Sequence, residues 1–257
     1  GHFCPILVCT RIYTHRYNLP MHRLQEYALS ALKLHLSADQ INTFTAYENE
    51  LMDWNEKMNL TAIRSHDEII FKHFIDSLSC LEVMHTPTPG KVIDVGTGAG
   101  FPGLVLKIAL PSIRLVLVES IGKKAAFCQH IAKTLHLEHV TVIQARAEEV
   151  GADTQYREKF DWAIARAVVS MPVLAEYLLP LTRINGCMLA QKGENGPLET
   201  QQAATAFRKL GGKLRKVHPV TLPGIAEQRY LIVVEKKHAT PDSYPRRTGT
   251  PAKKPIL

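Results

Sequence analysis

The chain predicts an α/β fold, a doubly wound and mostly parallel sheet with helices on both faces, preceded by a small helical region. Three observations carry that expectation. From residue 91 onward short apolar runs alternate with helical stretches; a turn crowded with glycine follows the first of those runs directly; and residues 22–84 show helical rather than strand periodicity. At 257 residues, 46% of them hydrophobic, the chain can bury one sizeable α/β domain with a helical appendage.

Taken in order, residues 1–20 do not start with Met and show no clear period. They read as a leader or appended extension, expected to be disordered, with Met21 as a natural start. The N-terminal helical region spans 21–85. Within it, Ser37 is a good N-cap for "SADQINTFTAYENELMDWNEKMN", where Ile41, Phe44, Tyr47 or Glu48, Leu51 and Trp54 or Asn55 fall at helical spacing. A second helix, "HDEIIFKHFIDSLSCLEVM", follows, and "TPTPG" at 86–90 breaks the chain. Between 91 and 236 the runs "KVIDV", "RLVLVE", "HVTVIQ", "FDWAIA", "CMLAQ" and "RYLIVVE" read as strands. Helical segments such as "GKKAAFCQHIAKTLHL" and "MPVLAEYLLPLTRI" alternate with the first five. Such alternation argues a parallel sheet whose ligand lies at the carboxyl ends of the strands.

Residues 237–257 form a basic, proline-rich tail. From Lys236 on, six cations face Asp242 alone, residues 1–20 add Arg11 and Arg16, and the body from 21 to 235 is neutral against a net charge of +7. An extended cationic tail can lie along a polyanion or simply keep the chain soluble. The five cysteines, Cys4, Cys9, Cys80, Cys128 and Cys187, are odd in number and include no C-x-x-C pair, as expected of reduced thiols in a cytoplasmic protein. No apolar run approaches the roughly 18–20 residues of a membrane span. The histidines, His136 and His139 among them, form no convincing metal set.

The stretch "VIDVGTGAGFPG" (92–103) carries the chemistry. Gly98, Gly100 and Gly103 satisfy G-x-G-x-x-G, while Asp94 to Gly100 satisfies D-x-G-x-G-x-G, so the spacing fits a dinucleotide and S-adenosylmethionine alike. In either case the glycines permit a tight turn and close backbone approach to a ligand. Glu119, about twenty residues on at the end of the second strand, can accept both hydroxyls of an adenosine ribose. At the exit of the third strand, "QARAEEV" offers Ala147 and Glu148 to an adenine edge.

Together "DVGTGAGFPG", "ESIGKK", "ARAEE", "ARAV" and "QKG", with the upstream "WNEKMNLTAI" and "KHFIDSL" and the tail "TPDSYPRRTGTPAKKP", resemble the RsmG (GidB) family from about Met21 to the end. The resemblance implies a class I, Rossmann-like methyltransferase with a seven-stranded sheet, S-adenosylmethionine as cofactor, and transfer of its methyl group to N7 of one guanine in small-subunit ribosomal RNA. Carried over residue by residue, it makes Gly96 and Phe101 cofactor ligands, puts Ala147 and Glu148 on the adenine side, and places Arg166 in the pocket. With Gly98, Gly100 and Glu119 these form the expected cofactor set. The expected partner is small-subunit ribosomal RNA or an assembling small ribosomal particle, and the expected enzyme is a cytoplasmic monomer without metal.

Guanine N7 offers an in-plane lone pair, so its methylation needs alignment rather than a general base. In keeping with this, the chain lacks the Asn/Asp-Pro-Pro-aromatic signature of amine methylation and a nucleophilic cysteine near the fourth strand, having "ARAVVSMP" there instead. Arg166 and Lys192 are the expected positioning and electrostatic residues, Lys192 toward RNA phosphate or guanine O6. His73 and Asp76 share a helical face, which points to structural pairing, and Cys187 reads as core. An NAD-dependent oxidoreductase on the ambiguous glycine motif and a noncatalytic RNA-binding module built on the tail are the alternatives that the residues alone leave open.

Overall fold

The computed structural model describes residues 21–84, 90–166 and 169–257. The leader, most of the "TPTPG" break, Cys4 and Cys9, and Ala167 and Val168 of "ARAV" lie outside the described residues. Helix α1 covers residues 21–32, and α2 runs over Ala38–Met58. The Ser37 cap forms as expected: its hydroxyl accepts from Gln40 N at 3.2 Å while the Gln40 side chain accepts from Ser37 N at 2.9 Å. The same Gln40 amide donates to the carbonyls of Ile108 and Ala109, tying the helix start to the sheet domain. Helix α3 is broken. An α turn over His66–Ile69 widens into a π stretch, Ile70–Ile75, then closes through Asp76–Leu78 into a 3-10 turn at Ser79–Glu82.

Seven strands follow: β1 (Lys91–Val95), β2 (Arg114–Val118), β3 (Val140–Ile143), β4 (Phe160–Arg166), β5 (Thr182–Lys192), β6 (Gly212–Val220) and β7 (Arg229–Lys236). Their order is β3-β2-β1-β4-β5-β7-β6. The first five are parallel and the β6–β7 hairpin joins antiparallel through β7. The six apolar runs read in the sequence are six of these strands. The seventh, β6, is missing from them because "GKLRKVHPV" is a polar edge strand whose Lys213, Leu214, Arg215 and Lys216 are all exposed. Another boundary moves as well: "MPVLAEYLLPLTRI" is helical only over Met171–Leu178, and from Thr182 its end already belongs to β5.

Alternation along the strands builds two cores. Val92, Leu115, Leu117, Ile164 and Leu189 face α2, α3, α4 (Gly103–Ala109) and α5 (Gly122–Thr134). Ile93, Val95, Ala163, Met188 and Ile232 face α6 (Ala147–Ala152), α7 (Met171–Leu178) and α9 (Ala204–Lys209), with α8 (Gly196–Gln202) just before it. The N-terminal helices therefore share a core with one face of the sheet: Phe44, Tyr47, Leu51 and Phe74 are fully buried there. The chain runs outward through β1, β2 and β3 and returns at β4 beside β1. That reversal puts the topological switch point, the usual ligand crevice of such sheets, at the carboxyl ends of β1 and β4.

The residues after β7 are folded onto the body rather than extended. Arg157 donates to the carbonyls of Tyr244 and Thr240, both at 2.7 Å. Arg246 clamps the fully buried Glu176 through Nε at 2.9 Å and NH2 at 2.6 Å. Pro251, in the short helix α10 (Thr250–Lys253), and Ile256 are buried, whereas Arg247, Lys253 and Lys254 stay exposed. The tail is thus bound largely to protein, and Arg246, one of its six cations counted from Lys236, is already paired with a carboxylate.

Candidate cofactor and RNA site

The glycine turn is built around Asp94. Its Oδ2 accepts from Thr97 Oγ1 at 2.6 Å and from Gly103 N at 2.8 Å, so one carboxylate joins the end of β1 to the start of α4. Complete burial pushes its pKa up to about 7, and its Oδ1 has no hydrogen-bond partner. Asp94 is not among the expected cofactor ligands. Its signal in the sequence is the D of D-x-G-x-G-x-G, and its work is to hold the loop rather than the ligand.

The four glycines divide by what lies before them. A Cβ at Gly96 (φ +70°) or Gly98 (φ +61°) would meet nothing within 4 Å, leaving backbone open to an incoming group. By contrast a Cβ at Gly100 would collide with Leu104 and come within 2.6 Å of Tyr47 Oη, and one at Gly103 would lie 2.8 Å from Asp94 Oδ2. Gly100, expected to touch cofactor, is therefore required by packing. Phe101 is likewise fixed by packing. It is 3% exposed, its ring stacks on His73 at 4.3 Å, and the Arg166 guanidinium lies over it at 5.0 Å.

A cavity of about 310 Å³ opens beside the turn at the carboxyl ends of β1, β2 and β4, inside the usual range of small-molecule sites. Gly96, Ala147, Glu148 and Arg166 line it with Val95, Val118 and Tyr177. Gly98, Gly100, Phe101 and Glu119 lie outside its lining. Glu119 instead staples the loop, its Oε2 accepting from Gly98 N and its Oε1 from Ile121 N, each at 2.8 Å. Burial, and then the charge of Glu148, raise the Tyr177 phenol above its ordinary pKa.

Beyond Arg166 lies a second cavity of about 370 Å³, lined by Lys72, His73, Asp76, Arg166, Gln191, Lys192 and Arg229. Arg166 is thus the wall between the two. Its NH1 donates to Asp76 Oδ2 and to the Lys72 carbonyl, both at 3.1 Å, and its NH2 lies 3.0 Å from His73 Nδ1. Burial, and then the Arg166 charge, drive His73 down to about 3, so a neutral imidazole accepts from the guanidinium. His73 and Asp76, expected to pair with each other, are joined through Arg166, which each of them holds. Lys192 is less available than expected: it is 7% exposed, ion-paired to Glu199 at 2.7 Å, and donates to the Val169 carbonyl. Arg229, 3.9 Å from Asp76, and Lys72, paired with Glu68, carry no sequence signal of their own; both belong to this cavity.

The profile of the family described as rRNA small subunit methyltransferase G matches residues 40–230. The chain belongs to that family. It is 49% identical to the ribosomal RNA small subunit methyltransferase G of Roseiflexus sp. (strain RS-1) over 223 residues, 87% of this chain and 94% of that one. Against the protein of the same name from Roseiflexus castenholzii it is 50% identical over 224 residues, 87% of this chain and 95% of its relative. The fold is also that of a SAM-dependent methyltransferase from Aquifex aeolicus, at a TM-score of 0.53 and 14% identity, covering 68% of this chain and 96% of that one. Membership makes the chain a methyltransferase that works with S-adenosylmethionine. Among the described residues, no helix is long and apolar enough to cross a membrane, and no group of three or more His, Cys, Asp or Glu could hold a metal ion.

Proposed function

We propose that this methyltransferase acts on N7 of one guanine in small-subunit ribosomal RNA, with S-adenosylmethionine in the cavity lined by Gly96, Ala147, Glu148 and Arg166 and the target base in the cavity beyond Arg166. The observation that carries this reading is the shared wall: one arginine lines the cavity at the switch point and, on its other side, a cationic one.

The open backbone at Gly96 and Gly98 fits close approach of a ligand, and Glu148 supplies the acceptor expected on the adenine side. Glu119, already ordered by two backbone donors, is poised to accept ribose hydroxyls after a small adjustment. When bound, S-adenosylmethionine supplies an electrophilic methyl group on a sulfonium. The work left to the protein is alignment, because N7 attacks with a lone pair that carries no proton. Arg166 is held on three sides, by Asp76, by His73 and by the face of Phe101, and so offers a fixed guanidinium at the junction. The Asp76 carboxylate neutralises that guanidinium, which avoids an uncompensated cation beside a purine that gains positive charge in the reaction. Lys72 and Arg229 then face the polyanion, and Lys192, neutralised by Glu199, shapes the floor.

Mass mapping of ribosomal RNA from cells with and without the protein tests this reading. A single guanine that loses an N7-methyl mark supports it; loss of an exocyclic-amine mark, or of none, overturns it.

A further inference from the structure

We infer that the C-terminal segment, residues 240–256, is a positioning element of the cofactor cavity and acts through Glu148. The inference rests on reading the cavity beside Gly96 as the site of S-adenosylmethionine.

Helix α6, which presents Ala147 and Glu148 to that cavity, has only six residues, too few to hold its own direction. The C-terminal segment supplies the hold. Glu148, 5% exposed, accepts on Oε1 from Gly249 N at 2.8 Å. Gly249 sits at φ +82°, a backbone state glycine adopts without strain, and begins the turn into α10. At the other end of α6, a Cβ on Gly151 would come within 3.0 Å of Pro245 Cγ. The facing helix α7 is tied to the same segment: Glu176 takes both the guanidinium and the backbone N–H of Arg246, and its neighbour Tyr177 lines the cavity in contact with Glu148. Both helices that wall the adenine side are therefore fastened to one segment, and no residue of that segment lines the cavity itself.

If the anchored segment favours cofactor binding, cofactor must favour the anchored segment by the same factor. Amide exchange on the full-length chain, without RNA, reads this directly. S-adenosylmethionine should slow exchange at 96–98 and 147–150 and also at 246–250. In parallel, a chain ending at Thr248 keeps the Arg246 clamp but loses the Gly249 donor. It should bind cofactor about tenfold to a hundredfold more weakly, the range of one missing hydrogen bond to a charged group, with a raised KM for cofactor and kcat unchanged once cofactor saturates. A full-length variant with Arg247→Ala, Lys253→Ala and Lys254→Ala should bind cofactor like the parent. Protection at 96–98 and 147–150 without protection at 246–250, or a folded truncated chain with unchanged cofactor affinity, overturns the inference. Absence of protection at 96–98 and 147–150 overturns the cavity reading and the inference with it. Should the truncated chain fail to fold, the exchange experiment decides alone.

Discussion

The two cavities that share Arg166 differ in their balance of charge. The one beside Gly96 is lined by backbone, by Val95, Val118 and Leu174, by the phenol Tyr177, and by Arg146 set against the acid Glu148. The one beyond is lined by Lys72, Lys192 and Arg229 around Asp76. The first suits one small molecule held by shape; the second suits a polyanion held by charge. Cofactor binding and RNA binding should therefore be separable by mutation everywhere except at the shared arginine.

The largest effect is therefore expected at that arginine. Arg166→Ala leaves the Asp76 carboxylate, 4% exposed, without its guanidinium, with only Arg229 at 3.9 Å to compensate. Breaking a buried pair in this way costs about 3–5 kcal/mol. Chemical denaturation should show that loss, and methyl transfer should fall together with affinity for both ligands. Arg166→Lys should recover part of the stability but not the bond to His73. An Arg166→Ala protein that lost only one of its two affinities would break the comparison.

The next effect is a pH dependence of opposite sign on the two sides. Asp94 keeps its proton to about pH 7 in the folded protein against an ordinary value of 3.8. Its contribution to stability is full below about pH 4 and is lost as pH rises to 7. His73 titrates at about 3 against an ordinary 6.5, so its contribution is present above about pH 6.5 and is lost as pH falls toward 3. Relative to the parent, Asp94→Asn should gain stability as pH rises from 4 to 7, and His73→Gln should gain as pH falls, each by at most roughly 5 kcal/mol. Urea midpoints at pH 4.5 and 7 would check both signs.

Within the glycine turn the comparison sharpens further. Gly96→Val should raise the cofactor Kd at least a hundredfold, roughly 2.7 kcal/mol, because the new side chain projects into open space beside the cavity, while its φ of +70° costs the fold about 1–2 kcal/mol of backbone strain. Gly100→Val, further along the same turn, carries strain of the same kind and should destabilise the fold by about 1–3 kcal/mol more through its collision with Leu104 and Tyr47. Calorimetry and thermal melting on the pair separate the two roles. The smallest effect is on the charged side: Lys72→Ala with Arg229→Ala should flatten the salt dependence of RNA binding by roughly 0.7–0.9 log units of slope for each phosphate no longer neutralised. Cofactor affinity should not move.

Local rules make much of this legible. The Ser37 cap, the six apolar strands and the glycine turn follow from residues within a few positions of one another, whereas the grouping of Gly96, Ala147, Glu148 and Arg166 comes from the resemblance to the family. What cannot be read depends on partners far apart in the chain. Tyr47 donates to the Ala99 carbonyl across 52 residues at 2.5 Å, and Arg166 meets Lys72, His73 and Asp76 across 90 residues or more. Those contacts give Phe101 and Gly100 a packing role that their neighbours in the sequence do not announce. The tail misleads for a related reason. Its basic composition suggests a free polyelectrolyte, but Glu176, fully buried and seventy residues upstream of Arg246, is the carboxylate that claims it.

The most direct measurement is a crystal structure of the protein with S-adenosylhomocysteine. The adenosine should lie against Ala147 and Glu148, the backbone of Gly96 against the ligand, and the sulfur should turn toward Arg166 and the cationic cavity. Density for the ligand in the cavity of Lys72 and Arg229, or along Gly96 with its sulfur pointing away from Arg166, would contradict this placement.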